Sequence, residues 1–343
     1  MSARRRPTLE MVAERAGVGR GTVSRVINRS ANVSEDTRKA VLQAVSDLGY
    51  VPNRAARTLV TRRTETVALV VSEQHERVFA EPFFARIVKG VSTVLHEHGL
   101  QLMLTMVGSG AEHERVGQYL TEGHVDGVML VSEHRDDPLP ARLAHAGVPC
   151  VHGGRPLGRQ LESLSFVDID NLGGGRTATQ HLVDLGRRTV GTLTGPQDMV
   201  AGVERLEGYT RALRDSGQEY RPELVSEGDF SYEGGAAAMR TLLSRAPELD
   251  GVFAASDLMA LAALRVLREF GRRIPEDVAV VGFDDVALAE HSDPPLTTIH
   301  QPTEEMGYQL AQLLMEQLEQ TDVVPPSQQT IVLDTHLVRR ASA

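Results

Sequence analysis

Two successive series of short β-rich runs, alternating with amphipathic helical stretches, constrain this chain more than any other feature. The first series is Thr66–Ser72, Gln101–Val107, Val125–Ser132, Val148–Gly153 and Phe166–Asp170. The second is Thr189–Gly195, Leu224–Gly228, Gly251–Ala255 and Val278–Asp284. Segments between them, such as Pro82–His98, Leu172–Leu185, Gly202–Ser216 and Leu258–Phe270, repeat apolar residues at helical spacing. Strand–helix alternation run twice predicts an α/β architecture of two doubly wound parallel-sheet lobes. Ligands of such open sheets sit at the carboxyl ends of the strands.

The first sixty residues follow another pattern. Thr8 is a suitable N-cap, and Leu9, Val12, Ala13 and Ala16 then recur at helical spacing. Gly17 ends that helix and Val18 plugs a short turn. A second helix is predicted over about Arg20 to Asn28, burying Val23, Val26 and Ile27. Ser34 caps a third, with Glu35 and Asp36 in the first turn where they favour the helix dipole. Its expected buried stripe is Val41, Leu42, Val45 and Leu48, stopped by Gly49. Three short helices with a glycine-containing tight turn predict an all-α helix-turn-helix unit.

Charge divides the same way. Residues 1–63 hold 13 Arg/Lys against 5 Asp/Glu, whereas the other positions hold 23 against 41. A small basic unit on a large acidic body points to a polyanion partner for the N-terminal part. At 343 residues the chain exceeds one core of usual size, and it holds no apolar run long enough to span a bilayer. The basic start Arg4-Arg5-Arg6 lacks an apolar stretch behind it, so a cytoplasmic rather than secreted protein is expected. The lone Cys150, within Val148-Pro149-Cys150-Val151, fits a reducing compartment and a buried thiol.

Specific strings extend this reading. Thr8-Leu9-Glu10-Met11-Val12-Ala13-Glu14-Arg15-Ala16-Gly17-Val18, then Thr22-Val23-Ser24-Arg25-Val26-Ile27-Asn28, then Gly49-Tyr50-Val51-Pro52-Asn53 resemble the lactose-repressor (LacI) family headpiece. The resemblance implies that the second helix lies in the major groove of operator DNA, with Arg20, Gly21 and Arg25 facing the bases. An arginine there can donate two hydrogen bonds to guanine, worth about 1–3 kcal/mol of discrimination, while Gly21 has no side chain to read with. Thr8, Thr22, Ser24 and Asn28 suit phosphate oxygens, which orient without specifying. Asn53–Arg62 matches the family's hinge helix. It implies two copies paired in the minor groove, with Arg57 alongside and Leu59 as the wedge that kinks the duplex. So short a helix is marginal alone, so a change in subunit spacing can melt it.

The resemblance continues through Pro82-Phe83-Phe84, Val125-Asp126-Gly127, Asp170-Asn171, Gly208-Tyr209, Ser256-Asp257, Val281-Gly282-Phe283-Asp284 and Leu296-Thr297-Thr298-Ile299. It implies a periplasmic-binding-protein-like type I sensor whose chain crosses between lobes near Asp168–Asn171, His300–Pro302 and Val323–Pro326. The expected division is residues 1–52 for the headpiece, 53–63 for the hinge and 64–343 for effector binding and dimerisation. Within the last, the N-lobe takes about 64–168 and 302–323, the C-lobe 171–299 and 327–343. By position, the resemblance nominates Arg205, Asp284, Phe230, Ser256 and Asp257 for the effector, with Phe79, Glu81 and Arg155 from the first lobe. Arginines and carboxylates bridge neighbouring hydroxyls, and an aromatic ring covers the C–H face of a sugar. Gly17-Val18-Gly19-Arg20-Gly21-Thr22, residues 54–63 and Gly195-Pro196-Gln197-Asp198-Met199-Val200-Ala201-Gly202-Val203-Glu204-Arg205 look like the actinobacterial cellobiose-responsive repressors of cellulose-utilisation genes. The implied effector is cellobiose or a short β-glucan oligosaccharide. The chain ends at Arg339-Arg340-Ala341-Ser342-Ala343 without the family's leucine heptad, which predicts a homodimer.

Other chemistries find less support. Gly173-Gly174-Gly175 lacks the Gly-Lys-Ser/Thr of a phosphate loop and reads instead as close helix packing. His96-x-His98 and Glu112-His113-Glu114 belong to no wider metal-ligand set, and no cofactor motif or Gly-x-Ser-x-Gly elbow is present. Asp284-Asp285 could hint at a hydrolase, but adjacent residues at a strand end point apart. A secreted sugar-binding protein would need a signal peptide, and a sugar-modifying enzyme a catalytic pair. A DNA-binding regulator, with neither enzyme activity nor cofactor, is the reading that uses every feature.

Overall fold

The computed structural model describes residues 7–27, 32–51, 63–155, 164–319 and 328–343. Contacts divide the chain into two compact units, Met1–Thr64 and Glu65–Ala343. In the first, α1 (Leu9–Ala16), α2 (Arg20–Ile27) and α3 (Glu35–Leu48) enclose Val12, Ala13, Val23, Val26, Val41 and Ala44. The Thr8 hydroxyl accepts a hydrogen bond from the Met11 amide and so starts α1. Gly17 and Gly49 end α1 and α3 in the left-handed region, at φ +67° and +61°. One stripe residue is corrected. Leu42 is half exposed and Ala44 is buried in its stead, because positions 41, 44, 45 and 48 share a helix face and 42 turns off it. The proposed hinge, with Arg57 and Leu59, and the phosphate candidate Asn28 lie outside the described residues.

The second unit runs β1 (Thr66–Val71), α4 (His75–Ala80), α5 (Pro82–Glu97), β2 (Gln101–Met106), α6 (Gly110–Thr121), β3 (Gly127–Val131), α7 (Leu139–Ala146), β4 (Cys150–Gly153) and β5 (Ser165–Ile169). It continues α8 (Asn171–Asp184), β6 (Val190–Thr194), α9 (Val200–Asp215), β7 (Val225–Glu227), α10 (Tyr232–Arg245), β8 (Gly251–Ala254), α11 (Asp257–Glu269), β9 (Ala279–Asp284), α12 (Ala287–His291) and β10 (Thr297–His300). Last come α13 (Thr303–Glu319), β11 (Thr330–Leu333) and β12 (His336–Val338). The N-lobe sheet has strand order β11-β5-β4-β3-β1-β2 and is parallel throughout. The C-lobe sheet has order β12-β10-β9-β8-β6-β7, parallel except that the edge strand β12 runs antiparallel to β10. Central strands are buried on both faces, which explains the apolar runs of β1 and β3, while β6 is equally buried but carries Thr192 and Thr194.

The third crossing is also corrected. Residues 330–333 pair with β5 in the N-lobe and 336–338 pair with β10 in the C-lobe, so the chain crosses at Asp334–Thr335 rather than at 323–326. The N-lobe therefore includes 330–333. The run Thr330-Ile331-Val332-Leu333 supplies β-branched residues that satisfy the open edge of β5, and the Asp170 amide bonds to Leu333 O just before the crossing. No described helix is long and apolar enough to cross a membrane.

Candidate functional site

The carboxyl ends of both sheets face the gap between the lobes. Ser132 follows β3, Gly153 ends β4, Asp168 lies near the end of β5, and Ser256 and Asp284 close β8 and β9. These residues, with Arg77, Glu81, Phe83, Asn171, Arg205 and Phe230, line an inner pocket of about 100 Å³. Arg77 and Glu81 also line an adjoining cleft of about 1250 Å³.

Arg205, on α9, is the organising group. It is buried, and its Nε donates to Asn171 Oδ1 at 2.9 Å while Nη1 donates to Ala255 O at 2.6 Å. Its Nη1 stands 3.5 Å from Asp284 Oδ1, and its guanidinium lies 3.6 Å from the centre of the Phe283 ring. The Phe230 ring centre is 5.5 Å from both Arg205 and Arg77, so a cation from each lobe approaches it. Phe230, three residues after β7, is buried and holds φ +67°.

The carboxylates divide into ligand-facing and structural groups. Burial pushes Asp284 up to about 7, against the attraction of Arg205, and Gln301 Nε2 donates to it at 2.6 Å. Glu81 is likewise raised by burial, opposed by its ion pair with Arg77. Asp168 is a pocket residue that the sequence reading treated only as a lobe crossing. Its Oδ1 accepts from the Ile169 amide and from Asn171 Nδ2, whereas Oδ2 is buried without a hydrogen-bond partner and stands 3.4 Å from Arg155. That oxygen is held by charge rather than by a hydrogen bond and can still accept one. The signal was an acid inside the apolar run Phe166-Val167-Asp168-Ile169.

Three nominated residues take other places. Phe79 is 77% exposed on the outer side of α4 and lies outside the pocket lining. Asp257 is buried beneath β9, where its carboxylate accepts from the Val286 amide at 2.8 Å and from Thr298 Oγ1 at 2.5 Å. Burial and the adjacent Asp284 raise it well above the usual carboxylate range, and its role is to anchor the turn after β9. Arg155 stands outside the inner pocket and spans the lobes, 3.0 Å from Glu204 on α9. Ser256 both lines the pocket and caps α11, its Oγ donating to Phe230 O. A second cross-lobe link joins His134 Nδ1 to Asp198 Oδ2 at 2.8 Å, and with Glu73 it raises His134 to about 9.

A pH dependence follows. The usual value for Asp284 is 3.8 and the folded value is about 7, so the folded state binds more protons than the unfolded chain in that window. Stability of the ligand-free protein should therefore fall, by this group's share, as pH rises through the window. Asp284→Asn should flatten that share of the slope in urea titrations at about pH 5 and 6.5; an unchanged slope would count against a raised Asp284.

In the headpiece, Val23 and Val26 fix the inner face of α2 and leave Arg20, Gly21 and Arg25 exposed. Arg20 Nη1 lies 3.2 Å from Glu10 Oε1, and Arg25 Nε donates to Gly21 O at 3.3 Å. A Cβ at Gly21 would meet nothing within 4 Å, so this position is open rather than crowded. Thr22 and Ser24 are half-buried on α2, and Thr8 already serves the α1 cap.

Residues 8–53 match the model for bacterial regulatory proteins of the lacI family, and residues 179–343 match a periplasmic-binding-protein-like domain. The HTH-type transcriptional regulator CelR of Thermobifida fusca is 63% identical over 342 residues, covering 100% of both chains. The chain belongs to the lacI family. The PurR repressor of Vibrio vulnificus is 33% identical over 91% of this chain and 92% of its own. Among solved structures, a CelR–cellobiose complex is 60% identical with TM-score 0.79, covering 98% of this chain and 100% of that one. A lac repressor dimer bound to operator and the anti-inducer ONPF is 28% identical with TM-score 0.85, covering 98% and 99%. This lacI-family protein is a transcriptional regulator, built from a helix-turn-helix domain and a two-lobed α/β sensor.

Proposed function

We propose that this lacI-family protein is a cytoplasmic repressor that grips a pseudo-palindromic operator as a homodimer and lets go when cellobiose fills its cleft. A related short β-glucan oligosaccharide is the same reading with a longer ligand. Full-length similarity to CelR of Thermobifida fusca, at 63% identity, and to a solved CelR–cellobiose complex, at 60%, carries the proposal. The pocket chemistry supports it. Arg205 donates, Asp284 and Asp168 accept, and Phe230 offers a ring face, which is an inventory for a neutral polyhydroxyl ligand. Ser256 and Glu81 complete the wall, Arg155 closes the lobes from outside, and no part of the site is assigned catalysis. On the headpiece, Arg20 and Arg25 read bases beside a silent Gly21, with Thr8, Thr22, Ser24 and Asn28 at phosphates and the Arg57–Leu59 segment in the minor groove.

The test is an anisotropy titration on operator DNA recovered by binding-site selection, with cellobiose and a panel of other disaccharides. Release by cellobiose alone supports the reading, whereas release only by another sugar overturns the effector. In the same selection, Arg20→Ala should lose preference at one base pair per half-site, by about 1–3 kcal/mol. Unchanged discrimination would remove Arg20 from the base readers.

A further inference from the structure

The turn that ends β9 is clamped from both lobes. Asp284 and Asp285 hold φ of +116° and +52°, a backbone region that favours glycine. Their carboxylates point apart. That of Asp284 faces Arg205 and Gln301 in the pocket, while that of Asp285 is held by Arg340 Nη2 at 2.7 Å and His300 Nδ1 at 3.0 Å. Their two carbonyls accept from one guanidinium of the other lobe: Arg86 Nη2 reaches Asp285 O at 2.9 Å and Nη1 reaches Asp284 O at 3.5 Å. Asp257 secures the next amide, that of Val286.

Arg86 sits on α5, three residues after Phe83, which lines the pocket. Four residues on, Gly90 presses against α13, where a Cβ on Gly90 would strike Glu304 O and one on Gly307 would strike Ile87 O. Backbone contacts this close leave α5 and α13 to move as one body. We propose that Arg86 is the positioning residue that couples effector occupancy at Asp284 to the N-lobe helix α5. A backbone in a sparsely populated region persists only while its neighbours fix it, so a ligand that takes over the Asp284 carboxylate shifts the turn. The two carbonyls then pull on, or release, a guanidinium anchored in the other lobe.

This rests on the effector reading above, and two measurements separate the two ideas. In full-length Arg86→Ala, cellobiose affinity by calorimetry should stay within about threefold of wild type, while the cellobiose-induced drop in operator affinity should shrink to about a tenth. Arg86→Lys, whose ammonium can serve one carbonyl well but lacks the planar fork, should restore part of the drop. Retention of the full drop in Arg86→Ala overturns the proposal. Equal loss of binding and coupling does too, because Arg86 would then merely build the pocket. Hydrogen exchange on the ligand-free proteins needs no effector. The Val286 amide and amides of α5 should exchange at least about tenfold faster in Arg86→Ala. Unchanged exchange overturns the coupling role, whereas a wild type that ignores cellobiose while exchange still accelerates overturns only the effector reading.

Discussion

Arg205→Ala should leave a repressor that holds its operator and no longer answers cellobiose. Its guanidinium serves Asn171, Ala255 O and Asp284 at once while stacked on Phe283, all within a buried site. Truncation removes the pocket's main donor and leaves Asp284, already raised to about 7, without its cation. Removing one partner of a buried pair costs about 3–5 kcal/mol of stability; a loss of about 3 kcal/mol in binding would be roughly a 10²-fold fall in affinity. Lysine should not rescue, because a single ammonium cannot span three acceptors in one plane. The headpiece has its own core, so operator affinity without sugar should stay near wild type. Calorimetry with cellobiose decides the matter; wild-type affinity in Arg205→Ala would remove Arg205 from the effector site.

Gly175→Val should disable the same site from behind. A Cβ at Gly175 would come within 2.5 Å of Arg205 O, and one at Gly208 would strike Leu172 O, so α8 and α9 cross through glycine on both sides. Added methyl groups must push α9 outward and carry Arg205 with it. Overpacking of this kind costs about 1–3 kcal/mol, a fall of roughly 2–12 °C in Tm for a domain of this size. Cellobiose binding should weaken further than the stability loss explains. A variant with wild-type Tm and affinity would mean that the helices can part without moving the arginine.

The Gly173–Gly175 run shows how far sequence reasoning reached. The absence of a phosphate-loop signature was enough to read close packing, and Gly174 and Gly175 do meet Phe283 and Arg205. What they pack against was not legible, because the partners lie at least thirty positions along the chain. The strand runs were legible because central strands buried on both faces are predominantly apolar, as in β1 and β3. Leu42 was misplaced by the opposite circumstance: in a short amphipathic helix one position is a large rotation, and only the packed neighbours say which face is inside. Two positions, about 200° around the helix, separate Arg77, which lines the pocket, from Phe79, which is exposed outside it.

Local pattern by itself determined that a basic three-helix unit precedes two α/β lobes, since helical and strand periods, caps and turn glycines are written in neighbouring residues. Arg205 and Asp284 were nominated by the family resemblance rather than by local pattern, and the structure sets them 3.5 Å apart in the pocket lining. Tertiary structure alone decided that Asp168 lines the pocket with one oxygen facing Arg155 and without a hydrogen bond, while the buried Asp257 holds a turn. It alone put the last crossing at 334–335, and set Arg155 and Arg86 across the lobe boundary. Those outcomes depend on which groups the second lobe brings within hydrogen-bond range, and that is a property of the packed pair rather than of any segment.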